Sequence, residues 1–290
     1  MTPFELAEPR SISEALALLD PNDPSIRAMG GGTALMLMMK PGFFKPKRLV
    51  SLRKIAELAA FRVGSDGALR IGAMTRLSAL ERSAEVAKAF PVIASTLRTL
   101  SNRRVRNVAT IGGHIAHADP HTDLPPVLIA LDATIEIAGP GGQRKIPAEA
   151  LATGYLETTL KGNELITAVT VPAAGRKRAI YVKCTTRSAD DWPALGIAVA
   201  LDADGRSVKQ ARVVVSAATE KPVRLSGVEA ILQGGAMTDA SLREATRAAA
   251  SEADITTDMQ GSAAYKRHLL EVHLNRAING LLNGGARRGA

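Results

Sequence analysis

The stretch that decides the fold is TIGGHIAHADPHTDLP, at residues 110–125. It places three histidines and two aspartates within ten residues: His114, His117, Asp119, His121 and Asp123. The chain has only five histidines, so this concentration requires an explanation. One interpretation is a metal site built from these side chains. The other is a loop in which two consecutive glycines let the backbone approach a ligand closely.

The spacing gives little support to a metal site. His114 and His117 would share one face of a helix, but the sequence ADPHTDLP breaks any helix directly after them. The zinc peptidase pattern is His-x-x-x-His with an intervening Glu, whereas this chain has His-x-x-His without one. We therefore predict no metal site in this chain. A non-enzymatic metal- or nucleotide-binding module remains an alternative, which colourless protein containing stoichiometric zinc would favour.

A second glycine-rich segment, AMGGGTALMLMMK at residues 28–40, lies between a predicted strand, SIRAM, and a predicted helix. Glycines at such a turn allow positive φ angles, and the helix start directs free N–H groups at the same place. Thr33 either caps that helix or binds a phosphate oxygen. On its own, the segment is more typical of a tight turn without a ligand, and it matches neither the Rossmann nor the P-loop pattern.

Two glycine loops about eighty residues apart suggest one long ligand that both loops contact, with two backbone cradles around its diphosphate. Asp123 directly precedes the helical pattern LPPVLIALD and is predicted to be its N-cap. An N-cap carboxylate is also well placed to accept hydrogen bonds from sugar hydroxyls.

Composition excludes several classes of protein. The chain has 290 residues, of which 46% are hydrophobic, and this length suits two domains of ordinary size. No window is apolar enough for a membrane span, and no leader is evident, so a cytoplasmic location is expected. The net charge of +9 is scattered and aromatic residues make up 3%, so no nucleic-acid partner is predicted. A single cysteine, Cys184, excludes an internal disulfide and an iron–sulfur cluster held by this chain alone.

The element pattern changes at PAAGRKRA, residues 172–179, where we place a domain boundary. Before it we predict short strands and helices, including one helix over residues 75–90 and a hairpin over ATIEIAGPGGQRKIPA. After it we predict a small antiparallel sheet, followed by helices. The last predicted helix has one apolar stripe: Leu270, Leu274, Ala277, Ile278 and Leu281.

Four segments, taken together, resemble the FAD subunits of the molybdenum hydroxylases. GGGTALMLMMK is similar to that family's A-G-G-T-D-L-L-x-x-M-K loop, and VRNVATIGGHIAHADPHTDLP to its I-R-N-x-x-T-I-G-G-N-x-x-x-A-D-P-x-x-D-L-P loop. YVKCTTRSADDWPALGIAVAL resembles the start of the family's C-terminal domain, and GSAAYKRHLLEVHLNRAI its closing helix. The family includes flavin subunits of carbon monoxide dehydrogenase and the central domain of xanthine dehydrogenase.

The resemblance implies an α+β fold: a two-subdomain FAD-binding domain of the vanillyl-alcohol-oxidase/PCMH type at residues 1–175, then a C-terminal domain of a small antiparallel sheet with helices at residues 176–290. It implies FAD as the cofactor, which does the redox chemistry, so no residue is assigned a catalytic role. The positions that match the family's FAD-binding residues are Met29, Gly30, Gly31, Gly32, Thr33, Ala34, Leu35, Met36, Ser101, Thr110, Ile111, Gly112, Gly113, His114, Asp123, Leu165 and Lys183.

Some positions depart from the family pattern. His114 stands where the family has Asn, Ala34 where it has Asp, and Arg104 where it has Gln. Asn and His can both donate a side-chain hydrogen bond, so His114 is expected to keep the contact. The positive charge of Lys183 is expected to favour anionic states of the flavin.

The resemblance also implies partners: a small iron–sulfur subunit with 2Fe–2S clusters and a large molybdopterin subunit, in a dimer of heterotrimers. Electrons would pass from the molybdenum centre through the clusters to FAD and then to an external acceptor. The alternative is a stand-alone FAD-dependent oxidoreductase of the vanillyl-alcohol-oxidase type, which would oxidise a small alcohol without partners.

Overall fold

The computed structural model describes residues 2–233 and 235–284. The helices are α1 Ile12–Ala17, α2 Thr33–Met39, α3 Leu77–Arg82, α4 Ala84–Ala89, α5 Pro91–Thr99, α6 Arg103–Arg106, α7 Ile111–Ala116, α8 Leu124–Ala130, α9 Ser226–Leu232, α10 Asp239–Glu252 and α11 Ala263–Leu282. The strands are β1 Glu5–Ala7, β2 Ile26–Met29, β3 Arg48–Ser51, β4 Phe61–Val63, β5 Leu69–Gly72, β6 Thr134–Gly139, β7 Gly142–Pro147, β8 Ala152–Gly154, β9 Glu157–Thr158, β10 Leu165–Val171, β11 Arg178–Cys184, β12 Leu195–Asp204, β13 Ser207–Ser216 and β14 Val223–Arg224.

The N-terminal part contains a three-stranded parallel sheet in the order β1-β3-β2. Helix α1 begins after Ser11, whose Oγ accepts the Glu14 N–H at 3.2 Å, so the side chain caps the first turn. Ala15 on this helix packs against Ile26 and Val50 of the sheet. The sheet matters for the site because β2 ends at Met29, immediately before the glycines of residues 30–32.

A five-stranded antiparallel sheet follows, in the order β4-β5-β10-β6-β7, and it includes the predicted β6–β7 hairpin. The prediction of one helix over residues 75–90 is wrong, because the chain forms α3 and α4 there. Ser83 separates them: its backbone is extended, and its Oγ accepts the Val86 N–H at 3.2 Å. Serine competes for backbone hydrogen bonds in this way, so it starts a new helix rather than continuing the old one.

The C-terminal part is a four-stranded antiparallel sheet in the order β11-β12-β13-β14, with α9, α10 and α11. One face of the sheet places Ala198, Ala200 and Val214 in the same apolar core as the five-stranded sheet and α8. The other face packs on the helices, and all five stripe residues predicted for α11 are buried there. The predicted α+β architecture is confirmed. No helix among residues 2–233 and 235–284 is long and apolar enough to cross a bilayer.

Candidate cofactor site

The first glycine loop, residues 29–33, packs directly on the segment that leads into α7. A Cβ on Gly31 would lie 2.1 Å from the Val108 carbonyl oxygen and 2.8 Å from the Ala109 Cα. A Cβ on Gly30 would lie 2.6 Å from the Thr110 Oγ1. At Gly31 only glycine permits this approach, because backbone atoms occupy the space that a side chain would need. The two glycine loops therefore lie in contact, although they are far apart in sequence.

The first glycine loop leaves the start of α2 open. Gly32, at φ 72°, occupies the N-cap position and provides no side-chain cap. Of the two roles considered for Thr33, helix capping is therefore excluded, since Thr33 is already the first helical residue. Within the described parts of the chain, the amides of Thr33 and Ala34 donate to no protein acceptor. These are the groups that a bound anion would satisfy.

The second glycine loop, residues 110–114, is hydrogen-bonded to the protein itself. The Ile111 N–H donates to the Thr75 carbonyl at 3.0 Å, and the Gly112 N–H donates to the Ala73 carbonyl at 2.8 Å. The Gly113 N–H donates to the Oγ1 of Thr110, which caps α7, at 3.3 Å. The second loop is therefore not an open backbone cradle, because the amides of Ile111, Gly112 and Gly113 already have protein acceptors. The segment directly after β5 supplies two of these acceptors, the carbonyls of Ala73 and Thr75.

Asp123 joins the region of the second loop to the C-terminal sheet. It occupies the N-cap position of α8 as predicted, but it has helical backbone angles and its side chain makes no capping bond. The carboxylate instead accepts the Tyr181 hydroxyl at 2.8 Å and the Lys183 Nζ at 3.0 Å. Asp123 is 3% exposed, and burial raises the pKa of its carboxyl despite the opposing charge of Lys183.

Lys183 is fixed by two partners. Its Nζ also donates to the Thr99 carbonyl at 2.8 Å, which brings the end of α5 to this site. The charge expected to act on a flavin is thus paired with Asp123. Tyr181 was not identified from the sequence, although alternate residues on a strand share a face, which places it beside Lys183 on β11. Burial raises the pKa of Tyr181 well above its ordinary value.

His114 has an unsatisfied atom. The residue as a whole is half-buried, but its Nε2 lies beneath protein atoms and has no hydrogen-bond partner. Burial lowers the pKa of His114 to about 4; the nearby His117 and Lys183 add to this effect, and Asp119 opposes it. The imidazole is therefore neutral at physiological pH, and it lies near the Asp123–Lys183 pair.

The remaining histidines of the stretch, His117 and His121, lie beside carboxylates. His121 Nδ1 lies 2.9 Å from the Asp119 Oδ1, and its Nε2 lies 3.6 Å from the Asp258 Oδ2. Asp258 in turn pairs with the fully buried Lys266 at 2.6 Å. The His121 ring stacks on Trp192 with centroids 5.3 Å apart. Sequence reasoning did not identify these last three partners, since they come from distant segments of the chain.

No group of three His, Cys, Asp or Glu side chains is arranged to hold a metal ion in residues 2–233 and 235–284. Asp119 instead accepts bonds from the side chain and backbone of His121. Burial acts to raise the pKa of Asp119, but these hydrogen bonds and the neighbouring histidines bring it below its ordinary value. The cluster therefore serves to attach the loop after α7 to the C-terminal part.

Two predicted site residues lie apart from the loop contact. Ser101 has φ 54°, and its carbonyl accepts a bond from the Arg106 guanidinium. Leu165, at 3% exposure, starts β10 and lies in the apolar cluster that contains Ile26. Arg104, which stands where the family pattern has Gln, is exposed on α6.

Two family profiles match the chain. Residues 2–174 match the family described as "FAD binding domain in molybdopterin dehydrogenase", and residues 180–281 match the "CO dehydrogenase flavoprotein C-terminal domain". The carbon monoxide dehydrogenase medium chain of Hydrogenophaga pseudoflava is 32% identical over 95% of this chain and 96% of its own. The glyceraldehyde dehydrogenase medium chain of Sulfolobus acidocaldarius is 29% identical over 95% and 97%.

Solved structures agree. Carbon monoxide dehydrogenase from Hydrogenophaga pseudoflava superimposes with a TM-score of 0.93 at 33% identity, over 99% of this chain and 100% of that chain. Quinoline 2-oxidoreductase from Pseudomonas putida 86 gives 0.90 at 26% identity, over 98% of each. The similarity is thus to medium chains of multi-subunit dehydrogenases rather than to a stand-alone enzyme. This chain belongs to the FAD-carrying medium subunits of the molybdenum hydroxylase family of oxidoreductases.

Proposed function

We propose that FAD binds with its diphosphate on the first glycine loop and its remaining length along the second loop towards Asp123. The observation that carries this proposal is the contact of Gly30 and Gly31 with the second loop, beside amides that lack a protein acceptor. The buried Nε2 of His114 also suits a polar ligand, because an unpaired polar atom costs free energy until it finds a partner.

The proposed binding residues divide by role. Residues 29–36 bind the diphosphate through backbone N–H groups. The second loop is held in place by its own hydrogen bonds and positions His114 towards the cofactor. Lys183 and Asp123 set the position of this region against β11. The residues we assign to FAD are Met29, Gly30, Gly31, Gly32, Thr33, Ala34, Leu35, Met36, Ser101, Thr110, Ile111, Gly112, Gly113, His114, Asp123, Leu165 and Lys183.

The role of the chain follows from the cofactor. FAD accepts and donates electrons, and the protein binds and orients it. We propose that an iron–sulfur small subunit passes electrons from a molybdopterin large subunit to this FAD, which passes them to an external acceptor. Medium chains of two carbon monoxide dehydrogenases among the relatives support a multi-subunit enzyme.

We propose three further features of the assembly. The FAD-binding domain spans residues 1–175 and the C-terminal domain residues 176–290, in keeping with the break between β10 and β11. The complex is a dimer of heterotrimers, which mass measurement of the co-purified complex tests. It is cytoplasmic, in keeping with the absence of an internal disulfide, and cell fractionation tests this.

The test of the proposed site is FAD titration of the purified chain, followed by flavin fluorescence and absorbance. Gly31→Ala should abolish binding, because the added Cβ would collide with backbone atoms of Val108 and Ala109, which cannot rotate away as a side chain could. Gly141→Ala is the matched control, since a Cβ there has nothing within 4 Å. A wild-type chain that binds no FAD, or a Gly31→Ala chain that binds it normally, would overturn the proposal.

A further inference from the structure

Reduction of a bound flavin would add negative charge at this site. This inference rests on the proposed function, in which iron–sulfur clusters deliver electrons to FAD. Such clusters transfer electrons without protons, so each two electrons add negative charge to a partly buried site. Lys183, the cation beside the second glycine loop, is already paired with Asp123. Its charge is therefore largely offset before any electron arrives.

His114 is the group available to compensate. Its Nε2 is buried and makes no hydrogen bond to the protein, so in the tautomer that carries its proton on Nδ1 a second proton can bind at Nε2 without breaking a hydrogen bond within the protein. The titratable and charged groups around it are His117 and Asp119 from the segment after α7, and Lys183 from β11 with its partner Asp123. With Lys183 and Asp123 paired, this environment keeps the ring neutral until negative charge is added nearby.

A partly exposed histidine lies close to His114 along the chain. His117, the C-cap of α7, follows His114 by three residues with helical backbone angles, which places the two residues on one side of the helix. The His117 side chain is 23% exposed, and its Nε2 lies 3.9 Å from the Oδ2 of Asp119, which is 4% exposed. His117 and Asp119 therefore lie between the solvent and the neighbourhood of His114.

We propose that His114 binds one proton at Nε2 when the cofactor at this site receives two electrons, and releases it when they leave. On reduction, an N–H bond forms at His114 Nε2 with a proton drawn from the solvent, where an O–H bond breaks. The electrons come from the partner's iron–sulfur clusters. On reoxidation by the external acceptor, that N–H bond breaks and the proton returns to the solvent. Protonation of the flavin itself would balance the charge of the second electron.

The test is the midpoint potential of the FAD-loaded chain between pH 5 and pH 8, measured by spectroelectrochemistry. One proton per two electrons adds about 30 mV per pH unit to the slope. Wild type should therefore show a slope steeper by about this amount than His114→Asn, which carries the residue typical of the family. His268→Asn, on the exposed face of α11, is the matched control and should follow wild type. His114→Gln provides a second variant if the first folds poorly.

The outcomes separate the two proposals. Equal slopes in wild type and both His114 variants, with flavin bound, would overturn the proton role and leave the FAD site intact. A wild-type chain without flavin absorbance would overturn the FAD site, and the proton role with it. A steeper wild-type slope that both His114 substitutions remove would support the inference.

Discussion

The two glycine loops look alike in sequence and differ in what their backbones do. GGGT at residues 30–33 leaves the first amides of α2 without a side-chain cap. In TIGGH at residues 110–114, two backbone N–H groups donate to the carbonyls of Ala73 and Thr75, and a third donates to the side chain of the loop's own threonine. In the first loop, Gly30 and Gly31 pack closely on the second loop, while Gly32 leaves the start of α2 open to a ligand. In the second loop, Gly112 allows close packing alone, since a Cβ there would lie 2.7 Å from the Ala73 Cβ.

This difference shows that glycine content alone does not define a cradle. Whether the N–H groups of such a loop are free depends on whether a neighbouring segment places carbonyl acceptors within hydrogen-bond distance. The second loop, held rigidly, contributes through the side chains that follow it, above all His114 and Asp123. The following predictions test this division between an open loop and a structural one.

The largest effect on stability is expected at the pair that joins the second-loop region to β11. Lys183→Met leaves the Asp123 carboxylate buried without its cation, and loss of one partner of a buried pair costs about 3–5 kcal/mol. Urea unfolding of the FAD-free chain measures this. The double variant Asp123→Asn/Lys183→Met should recover part of the loss. Equal stability of the single variant and wild type would show that the pair does not hold this region.

The next effect concerns pH. His114 titrates near its ordinary pKa of 6.5 when unfolded but at about 4 when folded, so the unfolded chain binds the extra proton between these values. The free energy of unfolding should therefore fall as pH drops from 6.5 to 4, by about 3 kcal/mol from this group. The difference between wild type and His114→Asn, measured by urea unfolding across this range, isolates that share. A constant difference would contradict the burial of a neutral imidazole.

The smallest effect compares one threonine in each loop. Thr110→Val removes the cap of α7 and should cost about 1 kcal/mol. Thr33→Val should change the stability of the FAD-free chain by less than about 0.5 kcal/mol, because Thr33 caps nothing. Thermal unfolding of both variants measures this. Equal losses would mean that the first loop is as structural as the second.

Local patterns in the sequence predicted the elements around the site well. The glycine runs, the strand before Gly30 and the helix after Thr33 are short-range features, and the sequence contains them. The break at Ser83 escaped prediction because the apolar pattern continues through it, while a single serine cap ended the helix.

Long-range partners could not be predicted in the same way. Asp123 looked like a helix cap, yet its side chain turns to Tyr181 and Lys183 on a strand that pairs only after the chain has folded. The stacking of His121 on Trp192 likewise joins residues far apart in sequence. The same holds for the amides of Ile111 and Gly112, whose acceptors, Thr75 and Ala73, lie just beyond the end of β5.

The most direct test of the central claim is a crystal structure of the chain with FAD. The diphosphate should lie against the amides of Thr33 and Ala34, with the bonds from Ile111 to Thr75 and from Gly112 to Ala73 intact. A diphosphate on the amides of the second loop, with those two bonds broken, would contradict the division of roles proposed for the two glycine loops.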